Sequence, residues 1–129
     1  MKVRQRIIDV HAHVIPGVDD GSRTMEESVE MLKRAADQGI VGVIATPHYS
    51  RRHVLKGLND SAKLLQQEIR KTYPKFRIFP GQETFYHDEL AQRLNEGKAY
   101  TMADSQYVLV EFMPSVSYEI LFQGIRNQL

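Results

Sequence analysis

Four short apolar runs alternate with stretches of helical periodicity in this chain, and each run ends at a side chain able to bind a metal. The runs cover residues 7–10, 40–45, 76–79 and 107–110, and at or just beyond their ends stand His11 and His13, His48, Glu83, and Glu111. Consecutive βα units need parallel strands joined by right-handed helical crossovers. In such architectures the chemistry collects at the C-terminal ends of the strands. The alternation therefore predicts an α/β fold of about four βα units with parallel strands, and one polynuclear site on one face.

The intervening stretches carry their own punctuation. Thr24 and Glu27 form a capping box, Met25, Val29, Leu32 and Ala36 recur at helical spacing behind it, and Gly39 supplies a stop. Residues 58–72 read as a second amphipathic helix with Leu58, Ala62, Leu65 and Ile69 on one face. A shorter helix is expected over 87–95 and a last one over 116–127. No Gly-x-Gly-x-x-Gly follows the first run, so a dinucleotide fold has no support.

The first run reads as a buried strand. In extended backbone, side chains two apart point the same way, so the imidazoles of His11 and His13 face one common point. Taken singly, each candidate has an ordinary reading: His48 a loop histidine, Glu83 and Glu111 helix-terminal acids, Asp20 a turn residue. Joint occurrence at corresponding strand ends favours ligands. His53 and His87 fall off the pattern and read as surface residues, while Asp9 is expected to hold an imidazole rather than a cation. Arg51 and Arg52, beside His53, are either solvated loop residues or a docking point for a phosphate-bearing substrate.

Composition narrows the partners. The chain has 129 residues, 42% hydrophobic and 26% charged, which suits one globular unit. A formal net charge of +1 lacks the basic footprint that nucleic acid or an anionic membrane surface requires. No apolar stretch approaches membrane-spanning length, and the N-terminus leads into a strand, so no membrane insertion and a cytoplasmic location are expected. The absence of cysteine excludes a disulfide framework, a thiolate metal site and a cysteine nucleophile.

The segments Ile8-Asp9-Val10-His11-Ala12-His13, Pro16-Gly17-Val18-Asp19-Asp20-Gly21-Ser22, Met25-Glu26-Glu27-Ser28, Ala45-Thr46-Pro47-His48, Gly81-Gln82-Glu83 and Val110-Glu111-Phe112 together resemble the polymerase-and-histidinol-phosphatase superfamily of metal-dependent phosphoesterases. Within it, the chain is most similar to the bacterial manganese-dependent protein-tyrosine phosphatases of capsule and exopolysaccharide synthesis. The resemblance implies a distorted, TIM-like (β/α) barrel with three metal ions at its C-terminal face. It further implies that His11 and His13 bind the first ion, Glu83 bridges the first and second, Glu111 binds the second, and Asp20 and His48 bind the third. The implied chemistry is attack of activated water on phosphorus, with Mn as the metal and Fe, Zn or Mg as alternatives. The implied substrate is a phosphotyrosine protein such as a bacterial tyrosine kinase.

Barrels of this kind run to about 250 residues, and the similar enzymes continue with further ligand-bearing strands. Residues 1–129 are accordingly expected to be an N-terminal half domain, one that either belongs with a missing C-terminal half or completes itself by self-association. As a monomer it is expected to be inactive. Histidinol-phosphate phosphatase is the competing enzyme assignment, and the run from Pro16 to Ser22 favours the tyrosine phosphatases. An amidohydrolase also begins with His-x-His, but Glu83 already occupies the third strand end. A non-catalytic metal-binding half domain is the remaining alternative.

Overall fold

The computed structural model describes residues 6–50 and 56–128. Arg51, Arg52 and His53, the expected phosphate-docking point and its neighbour, lie outside the described residues. Along the chain run β1 (Ile7–Ala12), α1 (Met25–Asp37), β2 (Ile40–Ala45), β3 (His48–Tyr49), α2 (Leu58–Arg70), β4 (Arg77–Pro80), β5 (Glu83–Phe85), α3 (Leu90–Asn95), β6 (Leu109–Glu111) and α4 (Tyr118–Asn127). The strands form two parallel sheets, ordered β1-β2-β4 and β3-β5-β6. The fold is thus mixed α/β with parallel strands.

The helices form where periodicity and capping agree. Thr24 caps α1, its side chain accepting from the Glu27 backbone N–H at 3.1 Å. The reciprocal half of the capping box is displaced by one residue, because the Glu27 carboxylate accepts from the backbone of Arg23 instead of Thr24. Thr24→Ala is expected to lower stability by about 1 kcal/mol, read from the midpoint of denaturant unfolding. In α2, Leu58, Ala62, Leu65 and Ile69 are all buried and pack with Leu32 of α1, Val43 and Ala45 of β2 and Ile78 of β4. This apolar layer fixes the helical side of the first sheet.

Two features depart from the expected four strands. Only residues 46–47 separate β2 from β3, and only 81–82 separate β4 from β5, so the second and third apolar runs each continue from one sheet into the other. Gly81 permits the second crossing, since a Cβ there would lie 2.9 Å from Ile44 Cγ2 and 3.2 Å from Met102 Sδ. The crossings put His48 opposite Glu83 in the second sheet, with Glu111 opposite Phe85 on the next strand.

The other departure is β1, which is a strand but is not buried. Among the described residues it pairs with β2 alone, and Ile7, Ile8 and Val10 are each exposed by 44% or more. An apolar run specifies a strand; whether that strand is covered depends on what packs against it. Tyr118, Ile120, Phe122 and Ile125 of α4 are likewise exposed.

Candidate metal centre

The exit from β1 is held open by a loop that folds on its own backbone. Val14 and Ile15 are buried and anchor it. Gly17, at φ +74°, donates to the carbonyl of Ser22, and Ser22 in turn donates to the carbonyl of His13. The Ser22 hydroxyl, also buried, reaches the carbonyl of Val14 and the hydroxyl of Ser28 on α1. The Thr46 side chain accepts from the Ala12 backbone N–H at 3.0 Å, tying the end of β1 to the end of β2.

Six side chains converge above these strand ends. His11 Nε2 lies 3.0 Å from Glu83 Oε2, His13 Nε2 lies 2.9 Å from the same oxygen, and the two Nε2 atoms are 3.3 Å apart. His48 Nδ1 is 3.3 Å from Glu111 Oε2 and 3.5 Å from Glu83 Oε2, while its Nε2 is 3.3 Å from Asp20 Oδ1. Three sets of ligand atoms lie within 4.8 Å of one another: His11, His13 and Glu83; His48, Glu83 and Glu111; and His13, Asp19, Asp20 and His48. Every position read from the sequence as a ligand is in at least one set. His48 stands in two, beside Glu111 as well as Asp20. His87 belongs to none; it is half-buried rather than on the surface, and its Nδ1 accepts from the backbone of Glu89. Asp9 holds the backbone N–H of His11 at 3.0 Å and not an imidazole.

The donor set fits a divalent cation. Two ligands each about 2.1 Å from one ion stand about 3.0–3.4 Å apart, the spacing of the His11, His13 and Glu83 atoms. Asp19 Oδ2 accepts from His13 Nδ1 at 3.0 Å, so a neutral His13 ring turns its Nε2 lone pair toward a carboxylate oxygen and a second imidazole. Acceptors facing acceptors repel unless positive charge lies between them. The ligands are nitrogen and oxygen only, which suits Mn, Fe, Zn or Mg over soft metals.

The carboxyl groups respond to this crowding. Burial acts to raise Glu83, but hydrogen bonds from Glu111 and His11 and the charges of His11 and His48 outweigh it and hold the group below the usual glutamate range. Glu111 is pushed up, first by burial and then by the adjacent Glu83. The two adjacent glutamates are thus driven in opposite directions, Glu83 toward its charged form and Glu111 away from it.

Asp19 is the residue missed by sequence reasoning, which selected its neighbour Asp20 and gave Asp19 no role. The Asp20 side chain is 81% exposed and meets His48, whereas that of Asp19 is 4% exposed. The available signal was Asp-x-Gly: Asp19 Oδ1 accepts from the backbone N–H of Gly21 two residues on, as Asx turns do.

Comparison with known proteins points to the same chemistry. Residues 7–129 match the family model for capsular polysaccharide synthesis, CpsB/CapC. The chain is 32% identical over 109 residues to the tyrosine-protein phosphatase YwqE of Bacillus subtilis (strain 168), covering 82% of this chain and 43% of that protein. It is 30% identical over 131 residues to the tyrosine-protein phosphatase CpsB of Streptococcus pneumoniae, covering 95% and 52%. A solved structure from work on Bacillus subtilis YwqE and Streptococcus pneumoniae CpsB, described as metal-dependent tyrosine phosphatases, superposes with a TM-score of 0.78 at 29% identity, over 94% of this chain and 52% of that one. The chain spans about half the length of the curated relatives it matches. With nearly its whole length inside the match, the chain belongs to the CpsB/CapC family of capsular polysaccharide synthesis.

Proposed function

We propose that this chain carries the larger part of the metal-binding site of a protein-tyrosine phosphatase acting in capsule or exopolysaccharide synthesis. The observation that carries the reading is the meeting of His11 Nε2, His13 Nε2 and Glu83 Oε2, from strands far apart in sequence, within 3.3 Å of one another. His11, His13, Glu83, Glu111, Asp20 and His48 are the proposed ligands, with Glu83 shared between ions. Mn is the proposed metal, three ions the proposed number, and a tyrosine kinase the proposed substrate protein. Arg51 and Arg52 are proposed to meet its phosphate. No helix among the described residues is long and apolar enough to cross a membrane, which agrees with a proposed cytoplasmic location.

Divalent cations held at such a site neutralise phosphoryl oxygens and make water nucleophilic near neutral pH. The protein's own groups prepare for this. The Asp19 carboxylate lies 3.0 Å from His13 Nδ1, on the side of the ring away from the ligand cluster. Positive charge at the site would favour the ionised form of Glu111, which burial and the neighbouring Glu83 disfavour. A tyrosine leaving group, with a pKa of roughly 10, needs little proton donation, so the site requires no strong general acid.

The architecture proposed is the N-terminal half of a TIM-like barrel. The open edge of β1 and the exposed apolar residues on β1 and α4 support it, since parallel sheets are normally covered on both faces. The chain is accordingly expected to hold metal as a monomer and to hydrolyse phosphate only in an assembled form. The test is an assay of Mn-loaded chain, fractionated by size, against a phosphotyrosine peptide and histidinol phosphate. Preferential hydrolysis of the peptide is expected. Preference for histidinol phosphate would move the chain to that phosphatase class, and metal binding without hydrolysis in any oligomeric state would make it a metal-binding module.

A further inference from the structure

We infer that Asp19 is a positioning residue for the metal centre: it fixes the tautomer of His13 and pins the backbone of His48, and it is not itself a ligand. The inference rests on the reading of His13 as a ligand. Its geometric basis is that both oxygens of a nearly inaccessible carboxylate are already committed. Oδ1 accepts from the Gly21 backbone N–H at 2.9 Å. Oδ2 accepts from His13 Nδ1 at 3.0 Å and from the His48 backbone N–H at 3.1 Å.

These three donors come from the end of β1, the loop that follows it, and the start of β3. One side chain therefore joins the two segments that deliver His13 and His48, whose rings lie with centroids 4.6 Å apart. A carboxylate can only accept, so a neutral His13 ring has its hydrogen on Nδ1 and its lone pair on Nε2. Nε2 is the nitrogen that faces His11 and Glu83. A cation ligand must present a lone pair, and Asp19 is what guarantees one there. Asp20, with one histidine contact and a largely exposed side chain, has oxygens left over for an ion.

Asp19→Asn is the discriminating variant. It preserves shape, but its amide NH2 can donate to Nδ1 and thereby move the ring hydrogen to Nε2, where it blocks the ligand position. Loss of such outer partners commonly weakens metal binding by about 10–100-fold. Calorimetric titration with MnCl2 is expected to show a weakening of that order for Asp19→Asn, with the stoichiometry unchanged at saturation. Ring 15N NMR of the metal-free protein at about pH 8, where imidazole is ordinarily neutral, is expected to find the His13 hydrogen on Nδ1 in the parent chain and on Nε2 in the variant.

Ile69→Ala is the stability control, because Ile69 is buried in the α2 layer and belongs to none of the ligand clusters. It should lower the melting temperature without altering the His13 spectrum. An Asp19→Asn protein with parental Mn affinity and tautomer would overturn the inference, as would loss of one bound ion with the tautomer unchanged, which would make Asp19 a ligand. Should the variant fail to fold, the parent spectrum still decides: hydrogen on His13 Nε2 contradicts the assignment. A parent chain that takes up no Mn would instead defeat the proposed metal site, leaving the tautomer result to stand separately.

Discussion

Glu83→Ala is expected to strip most of the bound metal from the purified chain, and His11→Ala a smaller share, as measured by elemental analysis after dialysis. Glu83 Oε2 approaches three imidazoles, those of His11, His13 and His48, so its loss opens two of the three ligand clusters at once. His11 takes part in one cluster. Its side chain is 46% exposed, so truncation leaves no cavity and the metal-free protein should unfold at nearly the parental temperature. Loss of metal should therefore appear without loss of fold. His87→Ala should retain the full metal content, because His87 is in none of the clusters. Equal metal in all three variants would mean that the ion binds elsewhere.

Gly21→Ala is expected to destabilise the protein and weaken metal binding together. A Cβ at this position would lie 2.2 Å from the His13 carbonyl oxygen, 2.6 Å from His13 Cβ and 3.0 Å from Asp19 Oδ1. The first is backbone, which cannot swing aside as the tip of a long side chain can. Relief requires the loop to move, carrying with it His13, a proposed ligand, and the Asp19 carboxylate bonded to its ring. Overpacking of this severity costs about 1–3 kcal/mol or more, readable from urea unfolding. A contrasting substitution is Gly57→Ala. There the φ of +71° makes alanine strained, but nothing lies within 4 Å of the added Cβ, so a loss of stability with unchanged Mn affinity is expected.

The parts of this fold that were legible in the sequence are those where local pattern and tertiary packing agree. The residues spaced along α2 are buried as their periodicity implies, and β2 spans the β-branched run from Ile40 to Ala45. The strands β3 and β5 were not legible, because two or three residues are too few to show an alternating pattern. Burial of β1 was not legible either: it depends on what lies against the far edge and face of the strand, and Ile8 and Val10 would read the same in either circumstance.

The convergence of these side chains was readable because position, not residue type, carried the information. His48, Glu83 and Glu111 are unremarkable alone and informative at matching strand ends. Division of labour between Asp19 and Asp20 was beyond the sequence, since adjacent aspartates in a turn differ only in which one the backbone folds inward. Only coordinates reveal that Asp19 meets the His48 backbone across 29 positions of chain.

Manganese anomalous diffraction from crystals of the chain grown with MnCl2 tests the central claim most directly. The convergence of strand ends predicts a peak about 2.0–2.3 Å from His11 Nε2, His13 Nε2 and Glu83 Oε2, at the point these atoms now enclose. Manganese found only on other surfaces, or imidazoles and carboxylates that diverge with no anomalous density between them, would contradict it.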